Sequence, residues 1–175
     1  MIWNALECTQ LSNPGHKPTP EQVRSEVWMS LIHGSTGIIY FVHQWTPTVI
    51  EAGLLADLET TAMVKSINQQ IHDLAPVLNS PTLENGGTAT SSNSLVPVDV
   101  MVKQMGSTVY MFAVGMRNLP CRAHLTFDAL HRLRADTTVE VLGENRTISA
   151  SHGHFEDEFT PYQVHIYRTM LLAAK

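Results

Sequence analysis

The hydrophobic periodicity of this chain changes near residue 80, and this change limits the folds that it can adopt. Before residue 80, short apolar runs alternate with segments whose apolar residues recur at three and four positions. After residue 95, apolar residues recur at every second position. The stretch between them, NSPTLENGGTATSSNS, consists of turn formers and small polar residues. We therefore predict an α/β unit over residues 1–80, a linker over 81–94 and an all-β domain over 95–175.

The first part of the chain predicts the order strand, helix, strand, helix. Residues 1–6 form an apolar run that is too short for a helix and predicts a buried strand. Thr19 and Gln22 have the spacing of a capping box, so a helix should begin there. The run GIIYFVH predicts a second strand, covered on both faces, and an amphipathic helix should follow over 64–78. This order implies a parallel strand pair with a right-handed crossover.

The second part predicts an antiparallel β-sandwich of about six to eight short strands. The alternation is clearest over residues 121–127, where apolar residues alternate with polar ones. Phe127 and Tyr162 follow the apolar stripe of their predicted strands and should pack in the core. The pattern leaves the roles of three further aromatic residues open between packing and stacking on a ligand: Tyr110, Phe112 and Tyr167.

Composition excludes several classes of partner. The chain carries 11 Lys and Arg against 16 Asp and Glu, a formal net charge of −5, so we expect no nucleic-acid partner. No apolar run approaches the roughly 18 residues that a membrane span needs, so we expect no membrane partner. Residues 1–10 lack the basic, apolar and small-residue regions of a signal peptide, and we expect a soluble chain. Cys8 and Cys121 cannot form a disulfide framework, and the compartment stays open.

Three residues at the predicted strand ends are candidates for a functional site. Glu7 follows the first apolar run, and His43 and Trp45 lie at the end of the second. The carboxyl ends of parallel strands are where α/β barrels gather their active sites. From position alone, an acid exposed to solvent is the favoured interpretation of Glu7, and Trp45 fits packing beneath the loop over 46–53 equally well.

Four segments together resemble a known family. WNALECT, KPTPEQVRSEVWMSLIHGSTGIIYFVHQW, INQQIHDLAPVLNSP and FTPYQVHIY are similar to the last two β/α units and the C-terminal sandwich of retaining (β/α)8-barrel glycoside hydrolases. The resemblance implies an α/β plus all-β fold, with a partial (β/α)8 barrel followed by an antiparallel β-sandwich. It also implies that Glu7 is the nucleophile, that Trp45 forms the floor of the sugar site, and that His43 contacts hydroxyl groups.

The same resemblance implies an incomplete catalytic apparatus. The family's general acid/base and its first six strands have no counterpart in these residues, and retaining hydrolysis needs two carboxyl groups about 5–5.5 Å apart. We therefore expect a fragment with little or no glycosidase activity alone, a carbohydrate as substrate or ligand, and no cofactor. The alternative is a non-catalytic carbohydrate-binding or assembly module. Bare barrel strands and helices should also promote self-association into a homo-oligomer.

Two other motifs carry weaker hypotheses. The run HGSTG around Ser35 resembles a serine nucleophile elbow, but it follows a predicted helix and lacks the G-x-S-x-G spacing. The segment SHGHFEDEF contains metal-capable side chains, although no third ligand is set by its spacing, and we expect no metal site. Asn145 begins a glycosylation sequon to which we assign no role.

Overall fold

The computed structural model describes residues 1–11, 15–128 and 136–171. They divide into two compact units, Met1–Leu74 and Ala75–Lys175, which are described separately. The helices and strands, in chain order, are β1 (Trp3–Glu7), α1 (Pro20–Ile32), β2 (Gly37–Phe41), α2 (Gly53–Ala56), α3 (Leu58–Leu78), β3 (Gly87–Ser91), β4 (Val98–Met105), β5 (Thr108–Gly115), β6 (Cys121–Phe127), β7 (Thr137–Val141), β8 (Arg146–Ala150), β9 (His154–Phe159) and β10 (Val164–Met170).

The first unit is built on the parallel pair β1 and β2, which α1 connects. The two strands are in register with Glu7 opposite Phe41. Helix α1 begins at the predicted capping box, where Gln22 N donates to Thr19 Oγ1 over 3.2 Å and Thr19 N donates to Gln22 Oε1 over 2.8 Å. These two bonds satisfy amide groups that lack partners within the helix, so the helix starts sharply.

Helices cover one face of the β1–β2 pair. Leu6 packs with Val27 of α1 and Ile67 of α3 in one buried cluster. Cys8 packs with helical residues in a second cluster. Because side chains alternate along a strand, the residues between these positions point to the opposite side. We call that side the open face; its residues are Trp3, Ala5, Glu7, Gly37, Ile39 and Phe41.

The open face is apolar and only partly buried. Trp3 is 58% exposed and Ile39 is 49% exposed, although the sequence predicts a second strand covered on both faces. A Cβ atom at Gly37 would lie 2.6 Å from the Trp3 ring, so a larger residue here would have to displace that ring. Both sides of β2 carry apolar residues, as the sequence shows. However, the side that includes Ile39 is not covered by other described residues, so Ile39 remains half exposed.

The second unit contains two antiparallel sheets. One sheet has the strand order β4-β5-β10-β7-β8, and the other has the order β3-β6-β9. Apolar side chains from both sheets belong to one hydrophobic core, which includes Phe127, Phe155, Phe159 and Tyr167. On β6 the alternation follows the sequence pattern, because Leu125 and its apolar neighbours are buried while the polar side chains at 122 and 124 are exposed.

The linker predicted over 81–94 is wrong, because this segment contains β3. Ala89 on β3 pairs with Leu125 of β6, and the side chain of Ala89 packs against the core. At Gly87, an added Cβ atom would lie 2.6 Å from both Met111 Cε and Thr126 O. Small residues are needed on β3 because its backbone lies close to the hydrophobic core. The same small residues are common in linkers, so composition alone predicted a linker.

No helix among the described residues combines the length and the apolar content that crossing a bilayer requires.

Candidate functional site

Glu7 lies at the carboxyl end of β1 and belongs to the open face. It is the last residue of the strand and is half-buried. Its Oε1 atom accepts a hydrogen bond of 3.3 Å from the backbone amide of Leu11. This bond holds one carboxylate oxygen close to the loop that follows β1.

His43 and Trp45 follow the carboxyl end of β2, so they lie at the same end of the strand pair as Glu7. The His43 ring meets Phe41 edge to face, with centroids 5.9 Å apart, and its Nδ1 atom contacts the carbonyl of Glu51. The Trp45 side chain is 60% exposed, so it does not pack beneath the loop over 46–53. The carboxyl end of the strand pair therefore presents a carboxylate, an imidazole and an accessible indole.

Backbone and hydroxyl groups tie together the two loops that carry these side chains. We call residues 8–11 the β1 loop and residues 42–52 the β2 loop. Trp45 N donates to Gln10 O over 3.0 Å. Thr9 Oγ1 donates to His43 O over 2.6 Å, and Thr46 Oγ1 donates to Leu11 O over 3.3 Å. Each loop therefore donates hydrogen bonds to backbone carbonyls of the other.

A second carboxylate, Glu26 on α1, interacts electrostatically with Glu7 and was not among the predicted site residues. Burial and then the charge of Glu7 raise the pKa of Glu26. Burial, followed by the charges of Glu26 and Glu7, raises the pKa of Cys8 to about 11, so this thiol stays protonated at neutral pH. Glu26 is next to Val27, which lies on the buried face of α1. An acidic residue beside a buried helix face is the sequence feature that could have identified Glu26.

Ser35 does not have the geometry of a nucleophile. It is buried, and its Oγ atom contacts two backbone carbonyls, Ile2 O at 3.3 Å and Gly37 O at 3.1 Å. It also follows α1 and precedes β2, the reverse of the strand-to-helix turn of an elbow.

The metal-capable segment of the second unit forms β9, and its acids make ion pairs and hydrogen bonds. Glu158 and Glu156 on the outer side pair with Arg122, and His154 Nδ1 lies 3.0 Å from Thr126 Oγ1. Within residues 1–11, 15–128 and 136–171, no group of three or more His, Cys, Asp or Glu side chains is arranged to hold a metal ion.

Asp157 is at the centre of a polar network that the sequence pattern did not predict. Its two carboxylate oxygens accept from Arg146 over 3.0 and 2.6 Å, and Tyr167 donates to the same carboxylate over 2.9 Å. Arg146 also pairs with Glu144, which contacts the buried ring of His165. Burial and then the charge of Asp157 raise the pKa of Tyr167, so its hydroxyl remains a donor.

This network links the two sheets, because Arg146 lies on β8 and Asp157 lies on β9. The three aromatic residues whose roles the sequence left open are all buried: Tyr110, Phe112 and Tyr167. Packing is therefore their role, and even Tyr110, which has the largest exposure of the three, is only 7% exposed. Phe127 is buried as expected, whereas Tyr162 lies half-buried before β10 and has a positive φ of 57°.

Comparison with known proteins shows a similarity of fold. No protein-family model matches the sequence, and no curated protein matches it. Among solved structures, AmyP in complex with maltose has a TM-score of 0.62 at 11% identity, covering 95% of this chain and 40% of that chain. The α-amylase from Geobacillus thermoleovorans complexed with acarbose has a TM-score of 0.61 at 11% identity, covering 96% of this chain and 38% of that chain.

A third solved structure extends the range of similar enzymes. α-Galactosidase I from Mortierella vinacea has a TM-score of 0.52 at 10% identity, covering 91% of this chain and 38% of that chain. The chain therefore spans 38–40% of the length of these three structures. It shares its fold with part of several glycoside hydrolases.

Proposed function

We propose that this chain corresponds to the C-terminal part of a retaining (β/α)8-barrel glycoside hydrolase. In this proposal, the first unit is the last two β/α units of the barrel and the second unit is the antiparallel β-sandwich. One observation carries the proposal: β1 and β2 are parallel, and Glu7 ends β1 on the face that the helices leave uncovered. Fold similarity to amylases and a galactosidase supports it.

The proposed chemistry assigns one role to each residue at the strand edge. Glu7 attacks the anomeric carbon of a sugar, and the bond from that carbon to the leaving oxygen breaks as the glycosyl ester forms. The Trp45 indole provides the surface on which the sugar ring stacks, and His43 contacts hydroxyl groups. A second carboxyl group must protonate the leaving oxygen and later activate water, and we propose that it lies outside this chain.

This division of roles predicts weak catalysis by the 175-residue chain on natural linkages. Loss of a general acid or base costs about 10²–10⁴ in rate. A 2,4-dinitrophenolate leaving group needs no protonation, so dinitrophenyl glycosides of both anomeric configurations test Glu7 by itself. We expect slow dinitrophenolate release that is lost in Glu7→Gln. Release that persists in Glu7→Gln would remove Glu7 from the nucleophile role.

Binding of maltotriose tests the role of Trp45. We expect saturable binding that Trp45→Ala abolishes and that the control Trp3→Phe retains, because Trp3 lies at the opposite end of β1. Maltotriose binding that depends on Trp45 without any Glu7-dependent release from the activated glycosides would instead identify a non-catalytic carbohydrate-binding module. Equal binding by Trp45→Ala and the unmodified chain would contradict the proposed sugar platform.

We also propose that copies of this chain associate through the open face. Its apolar side chains at Trp3 and Ile39 remain about half exposed, and a two-stranded pair leaves outer strand edges that favour association. Light scattering at micromolar concentration should show an oligomer, and Ile39→Lys should shift it toward the monomer. A monodisperse monomer before substitution contradicts the proposal.

A further inference from the structure

We propose that Thr9 and Thr46 are positioning residues that orient the Trp45 platform relative to Glu7. This inference rests on the proposed function and adds two residues to that same site. Each threonine lies in one loop and donates its hydroxyl proton to a backbone carbonyl of the other, Thr9 to His43 O and Thr46 to Leu11 O. We call this reciprocal pair the threonine clasp.

The clasp connects the candidate nucleophile to the candidate platform through one dipeptide. Leu11 donates its amide proton to Glu7 Oε1, and its carbonyl accepts from Thr46 Oγ1. The neighbouring carbonyl of Gln10 accepts from Trp45 N over 3.0 Å and from Thr46 N over 3.4 Å. A shift of residues 10–11 therefore moves the partner of the Glu7 carboxylate and the backbone of Trp45 together.

Trp45 depends on this backbone anchoring because burial contributes little to its orientation. With 60% of its surface exposed, the indole has few neighbours that could select one rotamer. The position of its backbone therefore determines where its ring can reach. A sugar bound on the ring meets Glu7 productively only if both groups are held in a fixed relation, since small displacements weaken catalysis strongly.

Thr9 and Thr46 suit this role in different ways. Thr9 is 1% exposed, so the clasp supplies a partner for a hydroxyl group that has lost its contact with water. Thr46 is half-buried and adjoins Trp45 directly. Substitution of either by valine removes the donor and nearly preserves the shape, whereas serine keeps the hydroxyl group.

A matched control lies at the other end of the same strand pair. Thr36 Oγ1 donates to Ile2 O over 3.1 Å, which also joins the two chain segments through a threonine hydroxyl. This contact lies beside the amino ends of β1 and β2, away from Glu7 and Trp45. Thr36 Oγ1 also accepts from Ile2 N over 3.3 Å. Thr36→Val therefore removes the same kind of donor bond together with this acceptor, and it should affect stability without affecting the platform.

The experiment measures both ligand affinity and the Trp45 ring in the full chain. We expect Thr9→Val and Thr46→Val each to weaken maltotriose binding about tenfold, as expected for loss of one hydrogen bond. The corresponding serine variants should restore the affinity, and Thr36→Val should leave it unchanged. In ¹H–¹⁵N spectra, the Trp45 indole resonance should shift or broaden in both valine variants at the β1 and β2 loops but not in Thr36→Val.

The two readouts separate failure of the inference from failure of the proposed function. If Trp45→Ala abolishes maltotriose binding but Thr9→Val and Thr46→Val bind normally, the clasp does not position the platform. If the unmodified chain binds no maltotriose, the proposed function is contradicted, and the indole resonance still tests the clasp. An indole resonance that responds equally to Thr36→Val overturns the inference, because the effect is then one of general stability.

Discussion

Replacement of Asp157 by alanine should destabilise the second unit by about 3 kcal/mol. Asp157 accepts two hydrogen bonds from Arg146, one from Tyr167 and one from the Glu158 amide, and its side chain is 9% exposed. Removing one partner of a buried ion pair costs about 3–5 kcal/mol, because the other charge stays buried. Arg146 is 35% exposed and keeps Glu144 at 2.8 Å, so the lower end of that range applies.

Glu158→Ala provides the matched control at the next position of β9. Glu158 also pairs with an arginine, Arg122 at 2.5 Å, but both side chains are more than half exposed. Solvent screens this pair, so its loss should leave stability nearly unchanged. Both acids pair with an arginine, but Asp157 is buried and also accepts from Tyr167, so the comparison tests the contribution of a buried carboxylate network.

Urea unfolding followed by far-UV circular dichroism, with hydrogen exchange of the β10 amides, measures the difference. A loss of about 3 kcal/mol lowers amide protection by about two orders of magnitude where exchange follows the unfolding equilibrium. All three tryptophans lie in the first unit, so tryptophan fluorescence reports on that unit as an internal reference. If Asp157→Ala costs no more than Glu158→Ala, the reasoning from burial is refuted.

Three further predictions concern individual groups. Burial raises the pKa of Asp57, but hydrogen bonds from Lys17 and Thr60 outweigh it and hold this pKa at about 2, below the usual 3.8. Its stabilisation is therefore present above pH 4 and lost between pH 4 and 2, so the difference in thermal unfolding between Asp57→Asn and the unmodified chain should disappear near pH 2. Cys8 has a pKa of about 11, so its thiol is protonated at pH 8 and should resist alkylation by iodoacetamide until the chain is unfolded. A Cys121→Ser background isolates Cys8, and mass spectrometry measures the alkylation. Rapid alkylation of the native chain would contradict this. Gly87→Ala should destabilise the second unit by about 1–3 kcal/mol in urea unfolding, because its Cβ atom meets a backbone oxygen at 2.6 Å, while Thr88→Ala on the outer side should have little effect.

Local signals predicted much of the first unit. The capping box at Thr19 marked the start of α1, and the order of apolar runs indicated that β1 and β2 are parallel, which the structure confirms. The capping box joins residues three positions apart, and the parallel order follows from the single helix that connects two consecutive strands. The placement of Glu7, His43 and Trp45 at one strand edge also follows from that order.

Long-range pairing explains most of what the sequence did not reveal. The Asp157 carboxylate meets Arg146 and Tyr167, which lie 11 and 10 residues away in opposite directions, and no periodicity encodes such a meeting. Strand β3 escaped detection because its small residues are typical of loops, although they are needed for close approach to the core. Turns and tightly packed strands favour the same small residues. Only the pairing with β6 shows that this segment is a strand.

In the proposed function, the threonine clasp supports the carboxyl ends of β1 and β2, whereas the side chains of Glu7, His43 and Trp45 contact the sugar. The carbonyl acceptors of the clasp belong to the main chain, which every amino acid provides, so replacing the side chains of residues 10, 11 and 43 leaves those acceptors in place. Laboratory evolution aimed at new ligand preferences should therefore tolerate diversity at these positions and at Trp45, provided that both hydroxyl groups are retained. A library that randomises the recognition positions while keeping Thr9 and Thr46 should yield more folded variants than one that randomises all of them.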